Sequence, residues 1–145
     1  MQLVDIEPDD PRLVDDLLPV LLELRPHLEG ASLCAIYAEG YPQGLRFLAA
    51  YEDGSCVGVA GWRFVATTHV GRKLYVDDLV TTARARSAGV GAALLAELAQ
   101  RASAAACSSL ELDSGVQRAR AHAFYFREGM HVSSYHFIRK LQRSD

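Results

Sequence analysis

The feature that most restricts the fold of this chain is a strand pattern that runs through a short basic loop into an amphipathic helix. Residues Lys73–Thr81 carry β-branched and aromatic side chains, which is typical of a strand. Residues Gly89–Ala104 repeat apolar side chains at helical spacing. The apolar face of this helix consists of Val90, Leu94, Leu95, Leu98 and Ala102. This succession predicts an α/β (α+β) fold, in which helices pack on a sheet.

The rest of the chain continues this pattern, and the predicted element order is βααβββαβαβ. Before the central strand we predict a strand, two helices and a hairpin, at Leu3–Glu7, Asp9–Leu24, Gly30–Glu39, Leu45–Tyr51 and Cys56–Val65. After the central helix we predict a strand, a helix and a final strand, at Ser109–Asp113, Arg118–Glu128 and His131–Lys140. A length of 145 residues without repeats or linkers predicts one domain over residues 1–145.

Composition argues against several classes of protein. The chain is 50% hydrophobic and 23% charged, which fits a globular domain and not a disordered chain. Its formal net charge of −3 argues against a nucleic-acid partner. No apolar run approaches the ~18 residues of a membrane span, so we expect no membrane association. The first residues lack the pattern of a signal peptide, and we therefore expect a cytoplasmic protein.

Cysteine and histidine spacing gives no metal-binding or disulfide pattern. The three cysteines, Cys34, Cys56 and Cys107, are far apart in apolar segments. We expect them to be reduced and buried. The histidines are scattered along the chain, and we predict no metal site.

The segment between the central strand and helix contains the groups of an anion-binding site. Arg84 and Arg86 lie in the loop, and Gly89 and Gly91 lie at the start of the helix. The first N–H groups of a helix are unpaired, its dipole adds partial positive charge, and glycine lets an anion approach the backbone. No Gly-Lys-Ser/Thr follows and Gly-x-Gly-x-x-Gly is absent, which excludes a P-loop and a dinucleotide-binding fingerprint.

This segment resembles a motif of the GNAT superfamily of N-acetyltransferases. Residues 86–91, Arg-Ser-Ala-Gly-Val-Gly, match its Arg/Gln-x-x-Gly-x-Gly/Ala pattern. Residues 110–113 and 121–130 resemble the later strand, helix and Tyr-x-x-x-Gly-Phe ending of the family, with Met130 in place of phenylalanine. The resemblance spans nearly the whole chain. It implies a mixed, mostly antiparallel sheet of about six to seven strands flanked by about four helices, with two central parallel strands that splay apart.

The resemblance also implies acetyl-CoA as the co-substrate, with no metal. The loop and helix start would hold the pyrophosphate, and the end of the central strand would lie beside the pantetheine arm. The implied cofactor-binding residues are Leu79, Val80, Thr81, Arg86, Ser87, Ala88, Gly89, Val90, Gly91 and Ala92.

Two residues are candidates for proton transfer. By resemblance, Tyr125 takes the place of the tyrosine that protonates the departing CoA sulfur. Strand alternation places Asp77 and Asp78 on opposite faces, so that one of them faces the amine. By similarity to relatives with an acidic pair here we favour Asp77 as the residue that faces the amine, with Asp78 structural and paired with an arginine. A solvated or hydrogen-bonded Asp77 is the alternative.

Arg118, His122 and Tyr125 have helical spacing i, i+4 and i+7 and share one face. His122 is a candidate for proton transfer or substrate contact, or it is satisfied by nearby Asp113 or Ser114, which are themselves substrate-binding candidates. Arg118 stands where many relatives have an asparagine. It is a candidate for an acidic substrate group or for a structural ion pair.

The leading hypothesis is an acetyl-CoA-dependent N-acetyltransferase that acts on a primary amine of a small molecule, peptide or protein. The alternative is a non-catalytic acyl-CoA-binding or regulatory module of the same fold. A nucleic-acid-binding domain that uses the Arg84–Arg86 loop is disfavoured by the acidic composition. A homodimer is possible, and Tyr135, Phe137 and Ile138 of the final strand would serve either in its interface or in the core.

Overall fold

The computed structural model describes residues 1–143 and contains a five-stranded mixed sheet. The strands are β1 (Gln2–Ile6), β2 (Arg46–Glu52), β3 (Ser55–Thr67), β4 (Gly71–Thr81) and β5 (Ser109–Leu112). They lie in the order β1-β2-β3-β4-β5. Neighbouring strands are antiparallel except β4 and β5, which run parallel. A parallel pair needs a crossover connection, and the central helix supplies it here.

Four α-helices occur among the described residues: α1 (Leu18–Leu21), α2 (Gly30–Gly40), α3 (Val90–Ala104) and α4 (Ala119–Arg127). The first three cover the two faces of the sheet. On one face, α1 and α2 bury Leu21, Leu33 and Tyr37 against β2 and β3. On the other face, α3 buries Leu94 and Leu98 against β2, β3 and β4. The predicted α3 is confirmed to within one residue of its start, because its apolar periodicity matches a face that is buried.

The first helix is interrupted, contrary to the prediction of one helix over Asp9–Leu24. A π-helical turn over Leu13–Leu17 precedes the short α1. The N–H of Leu18 donates to the carbonyl of Leu13, five residues earlier. Pro19 has no N–H to donate to the carbonyl of Asp15, so regular α-helical hydrogen bonding is broken at this place.

The sheet has fewer strands than the six to seven that were expected. The predicted final strand, His131–Lys140, is absent, and residues 131–143 form no helix or strand. Tyr135, Phe137 and Ile138 are 77–90% exposed, so the core alternative for these residues is wrong. Alternation makes a segment suitable for a strand, but a strand also needs a neighbour that pairs with its backbone. The homodimer stays a prediction.

The chain divides into two compact units at Leu112 and Asp113. The first contains the sheet with α1, α2 and α3, and the second contains α4 and the segment that follows it. Of the three free cysteines, Cys56 is buried, Cys107 is half-buried and Cys34 is exposed. The expectation of three buried cysteines is therefore wrong for Cys34, which lies on the outward side of α2.

Candidate functional site

The central strand β4 carries a bulge at its acidic pair. Trp62 of β3 lies opposite Val76, and the next β3 residue in register, Gly61, lies opposite Asp78. Asp77 is therefore the extra residue of the bulge, and no β3 residue lies opposite it in the backbone register. A bulge of this kind bends the strand and redirects a side chain.

The bulge brings both carboxylates to the face of the sheet that α1 and α2 cover. Gly61 faces Phe47 of that side, and a Cβ atom built on Gly61 would lie 3.1 Å from Oδ2 of Asp78. Arg63 lies two residues along β3 and therefore shares this face. Its Nε donates to Oδ2 of Asp77 at 2.9 Å. The expectation that Asp77 and Asp78 lie on opposite faces is wrong, because it assumed unbroken alternation.

Each carboxylate is paired with an arginine. Arg63 holds Asp77, and Arg25, from the loop after α1, approaches Oδ1 of Asp78 at 2.9 Å. Arg25 Nη2 also donates to the backbone carbonyl of Asp77 at 3.4 Å. An arginine partner for Asp78 is as predicted. The roles of Arg25 and Arg63 were missed, since nothing local in the sequence signals pairs that are 53 and 14 residues apart.

Burial raises the pKa of Asp77 above its ordinary value, and the hydrogen bond from Arg63 opposes this shift only in part. The nearby charge of Asp78 raises the pKa further. A carboxylate in this state takes up a proton more readily than an exposed one. Asp77 is thus suited to accept a proton near the bulge.

Pairing between β4 and β5 ends just before the bulge. The last pair in register is Val76 with Leu112, although β4 continues to Thr81. Among the five strands, residues 78–81 of β4 pair with β3 alone, and Asp77 has no register partner. β4 therefore extends past the end of β5, and on this stretch its β5 side has no strand among the five. The splay of the two strands stays a prediction. This stretch includes Leu79, Val80 and Thr81.

The loop from β4 to α3 presents unpaired backbone donors. Ser87 and Gly89 have positive φ angles of 69° and 81°, and α3 begins directly after Gly89. Within residues 1–143, no acceptor pairs with the N–H groups of Ser87, Gly89, Val90, Gly91 and Ala92. Arg86, Ser87, Ala88 and Gly89 are exposed, and no atom lies within 4 Å of a Cβ atom built on Gly89. These donors, with the dipole of a 15-residue helix behind them, fit a diphosphate.

Three of the predicted residues lie in or next to α4, in the second unit. Arg118 precedes the helix, and Tyr125 follows two turns later. The common face of Arg118, His122 and Tyr125 stays a prediction. Burial raises the pKa of the Tyr125 phenol, so this group stays protonated at neutral pH. Nε2 of His122 lies 2.9 Å from the carbonyl oxygen of Gly115. The expected partners of His122, Asp113 and Ser114, are therefore replaced by a backbone group.

The remaining two candidates lie just before α4. Oδ2 of Asp113 is 3.5 Å from Nδ1 of His136. The hydroxyl of Ser114 is buried, and within residues 1–143 it has no hydrogen-bond partner. Their contact with a substrate stays a prediction. Across residues 1–143, no group of three or more His, Cys, Asp or Glu side chains is arranged to hold a metal ion. Searched over these residues, no helix is both long and apolar enough for a membrane span.

Comparisons with known proteins agree on one family. A profile of the "Acetyltransferase (GNAT) family" matches residues 11–130. An uncharacterized N-acetyltransferase of Bacillus subtilis (strain 168), YhdJ, is 34% identical over 121 residues, which cover 82% of this chain and 85% of that protein.

Solved structures show the same fold at lower identity. A putative acetyltransferase from Agrobacterium tumefaciens str. C58 has a TM-score of 0.81 at 24% identity, with 97% of this chain and 100% of that chain covered. A ribosomal-protein-alanine N-acetyltransferase from Brucella melitensis biovar Abortus 2308 has a TM-score of 0.81 at 17% identity, with the same coverage of both chains.

Proposed function

Since the chain belongs to the Acetyltransferase (GNAT) family, we propose that it transfers an acetyl group from acetyl-CoA directly to a primary amine of a small molecule, peptide or protein. One observation carries the proposal. The stretch of β4 without a partner on its β5 side leads directly into a loop and helix start with five unpaired N–H groups. An extended acyl carrier with a diphosphate needs both features in this order.

The cofactor is held by backbone groups in this proposal. The pyrophosphate lies on Arg86, Ser87, Ala88, Gly89, Val90, Gly91 and Ala92, where free donors and an open Cβ position at Gly89 support the fit. Leu79, Val80 and Thr81 lie beside the pantetheine arm. Bound acetyl-CoA supplies the activated acyl group, and the reaction needs no metal.

Asp77 accepts the proton of the attacking amine in this proposal. An amine is a nucleophile only when it is neutral, so a nearby base is required. The raised pKa of Asp77 and its position on the bulge support this role. Asp78 is structural in this proposal, because Arg25 fixes its carboxylate.

Tyr125 donates a proton to the departing thiolate of CoA. A phenol whose pKa is raised is protonated over the whole neutral range, so its proton is present when the thiolate departs. The amine nitrogen forms its bond to the acetyl carbon, its proton passes to Asp77, the carbon–sulfur bond breaks, and the sulfur takes the phenolic proton. Arg118, whose charge acts on the phenol, orients it in this proposal, and the groups around the start of α4 (His122, Asp113 and Ser114) contact the acceptor.

A thiol-release assay with acetyl-CoA and a panel of amines tests the proposal. The panel includes small diamines, aminoglycosides, and peptides with a free N-terminus or lysine. We expect CoA release with at least one class and a matching acetylated product by mass spectrometry. The alternative, a non-catalytic acyl-CoA-binding module, predicts CoA binding by calorimetry without release.

The variant Tyr125→Phe tests the acid. We expect it to lower kcat by about 10- to 1,000-fold while the affinity for CoA stays nearly unchanged, because only a proton donor is removed. Tyr135→Phe makes the same change at an exposed tyrosine and is the control. Equal turnover in the wild type and Tyr125→Phe would remove Tyr125 from this role.

A further inference from the structure

The open edge of β5 leaves two apolar positions of the sheet incompletely covered. Within residues 1–143, the sheet ends at β5, and β4 is its one neighbour. Leu74 and Val76 of β4 are 0% and 2% exposed. Their partners in register on β5, Leu110 and Leu112, are only half-buried. The apolar rows of the sheet therefore reach β5 and lack their next member.

The second unit contains a segment that has strand character and no backbone partner. Residues 131–143, here called the terminal segment, form no helix, strand, turn or bend. In the part of the chain that the structure describes, no backbone hydrogen bond joins the terminal segment to another residue. Phe137, Ile138 and Leu141 are 90%, 77% and 80% exposed. A straight chain with unpaired N–H and C=O groups is what a sheet edge accepts as an added strand.

The terminal segment is held to its own chain at His136. Nδ1 of His136 lies 3.5 Å from Oδ2 of Asp113. The residues that follow do not pair with β5 of the same chain, because β4 is the only neighbour of β5 among residues 1–143. Residues 137–141 are therefore the part of the segment that is available to a second molecule.

Charge favours a second copy of this chain as that molecule. Residues 1–112 contain 15 of the 18 acidic residues but nine of the 15 basic ones, so the first unit carries a formal charge of −6. Residues 113–145 carry +3. The terminal segment contains Arg139, Lys140 and Arg143 and no carboxylate. Two terminal segments therefore repel each other, whereas the terminal segment of one copy is attracted to the first unit of the other.

The side chains of residues 137–141 match the two faces of β5. In an extended chain, Phe137 and Leu141 lie on one face and Lys140 lies on the other. The first face extends the apolar rows that end at β5, and the long side chain of Arg139 on this face reaches solvent. The second face brings Lys140 to the side of Glu111, whose carboxylate keeps acceptor capacity beyond the two bonds that it already accepts.

We propose that two copies of this chain exchange their terminal segments. Residues 137–141 of each copy add as a strand to the open edge of β5 in the other copy. The exchange is reciprocal, so it forms a closed dimer with two identical pairs of strands. Backbone hydrogen bonds provide the affinity, and the apolar face of the added strand covers the half-buried leucines of β5. The inference goes beyond the proposed acetyl transfer and does not depend on it.

Two measurements on the full chain test the exchange. Sedimentation equilibrium measures the mass in solution, and we expect twice the mass of one chain. Amide hydrogen exchange of the ¹⁵N-labelled protein, followed by NMR, tests the pairing itself. In a strand with one neighbour, only every second N–H faces that neighbour. We therefore expect protection from exchange at alternate residues between 137 and 141.

The variant Phe137→Asp ties the dimer to the terminal segment. The new charge would lie unpaired in both copies of the interface, so we expect the Kd of the dimer to rise at least about 100-fold and the alternate protection to disappear. Val116→Asp is the matched control, because Val116 is 94% exposed in the same unit and lies outside the terminal segment. It should leave the Kd unchanged. Both residues are exposed in the single chain, so neither change should unfold it.

Three results would overturn the proposal. The first is a monomer at all concentrations, whether the terminal segment pairs with its own β5, which would still protect alternate amides, or stays open to a different partner. The second is a dimer whose residues 137–141 exchange freely, because its interface lies elsewhere. The third is a folded Phe137→Asp that dimerises as tightly as the wild type. Mass and exchange are measured without acetyl-CoA, so these results are independent of the activity assay.

Discussion

Asp77 combines two opposing influences within one side chain. Its position on the bulge buries it, which raises its pKa, while Arg63 stabilises the charged form at 2.9 Å. Burial is the larger influence, so the folded chain holds this proton to a higher pH than an unfolded chain does. The cost of the buried charge therefore grows as pH rises through the raised pKa.

The variant Asp77→Asn tests the base by its pH dependence. A base must be ionised, so kcat of the wild type falls as pH drops through the raised pKa of Asp77, above the ordinary value of 3.8. We expect Asp77→Asn to lose this acid limb and to reduce kcat by about 10²- to 10⁴-fold. Stopped assays of acetylated product between pH 4 and pH 9 measure both effects.

Asp78→Asn is the matched control for this experiment. It removes the charge next to Asp77 and the partner of Arg25, but it keeps the proposed base. The acid limb is expected to remain and to move to lower pH, because Asp78 raises the pKa of Asp77. Loss of the limb in Asp78→Asn with its retention in Asp77→Asn would assign the base to Asp78.

At the scale of elements, the connection from β4 to α3 depends on one backbone conformation. Gly89 has a φ angle of 81° directly before the first helical residue. Left-handed backbone suits glycine and strains a β-branched residue. The unpaired N–H groups at the start of α3 remain accessible only while Gly89 keeps this left-handed conformation.

We expect Gly89→Val to abolish CoA binding, because the new side chain enters the open space in front of the unpaired donors. Gly71→Val is the matched control, since Gly71 has a φ of 80° and no atom within 4 Å of its built Cβ. Both variants should lose about 1–2 kcal/mol of stability from strain. Calorimetry with CoA measures binding, and an unchanged affinity in Gly89→Val contradicts the diphosphate site.

The elements also show how far the sequence alone predicts this fold and site. Local patterns were sufficient where the cause is local: the periodicity of α3 and the glycines of the loop before it were recognised. Pro19 was present in the sequence, but its effect on the first helix was overlooked. The bulge at Asp77 depends on the register of β3, which no pattern within β4 reveals. Long-range partners such as Arg25 and Arg63 were missed for the same reason.

At the scale of the whole molecule, one buried tyrosine joins three elements of the first unit. Tyr37 of α2 donates to the carbonyl of Ile6 in β1 at 2.6 Å and accepts from the N–H of Phe47 in β2 at 3.3 Å. Its ring packs edge-on against Phe47 at 4.8 Å. Burial raises its pKa to about 12, so the hydroxyl stays neutral under physiological conditions.

We expect Tyr37→Phe to lower the free energy of unfolding by about 1–3 kcal/mol, because two buried backbone groups lose their partner. Tyr135→Phe alters an exposed residue and should change it by less than about 0.5 kcal/mol. Urea denaturation followed by circular dichroism measures both. Equal urea midpoints for the two variants would show that the hydrogen bonds of the Tyr37 hydroxyl do not contribute to stability.

The stretch of β4 beyond Val76 has a consequence for solubility. A strand side without a neighbour invites pairing with other molecules and hence aggregation. Here that side begins with an irregular step at Asp77 and two adjacent negative charges. Irregular backbone and charge both discourage a foreign strand from docking. The bulge at Asp77 thus disfavours self-association of the folded chain along this side of β4.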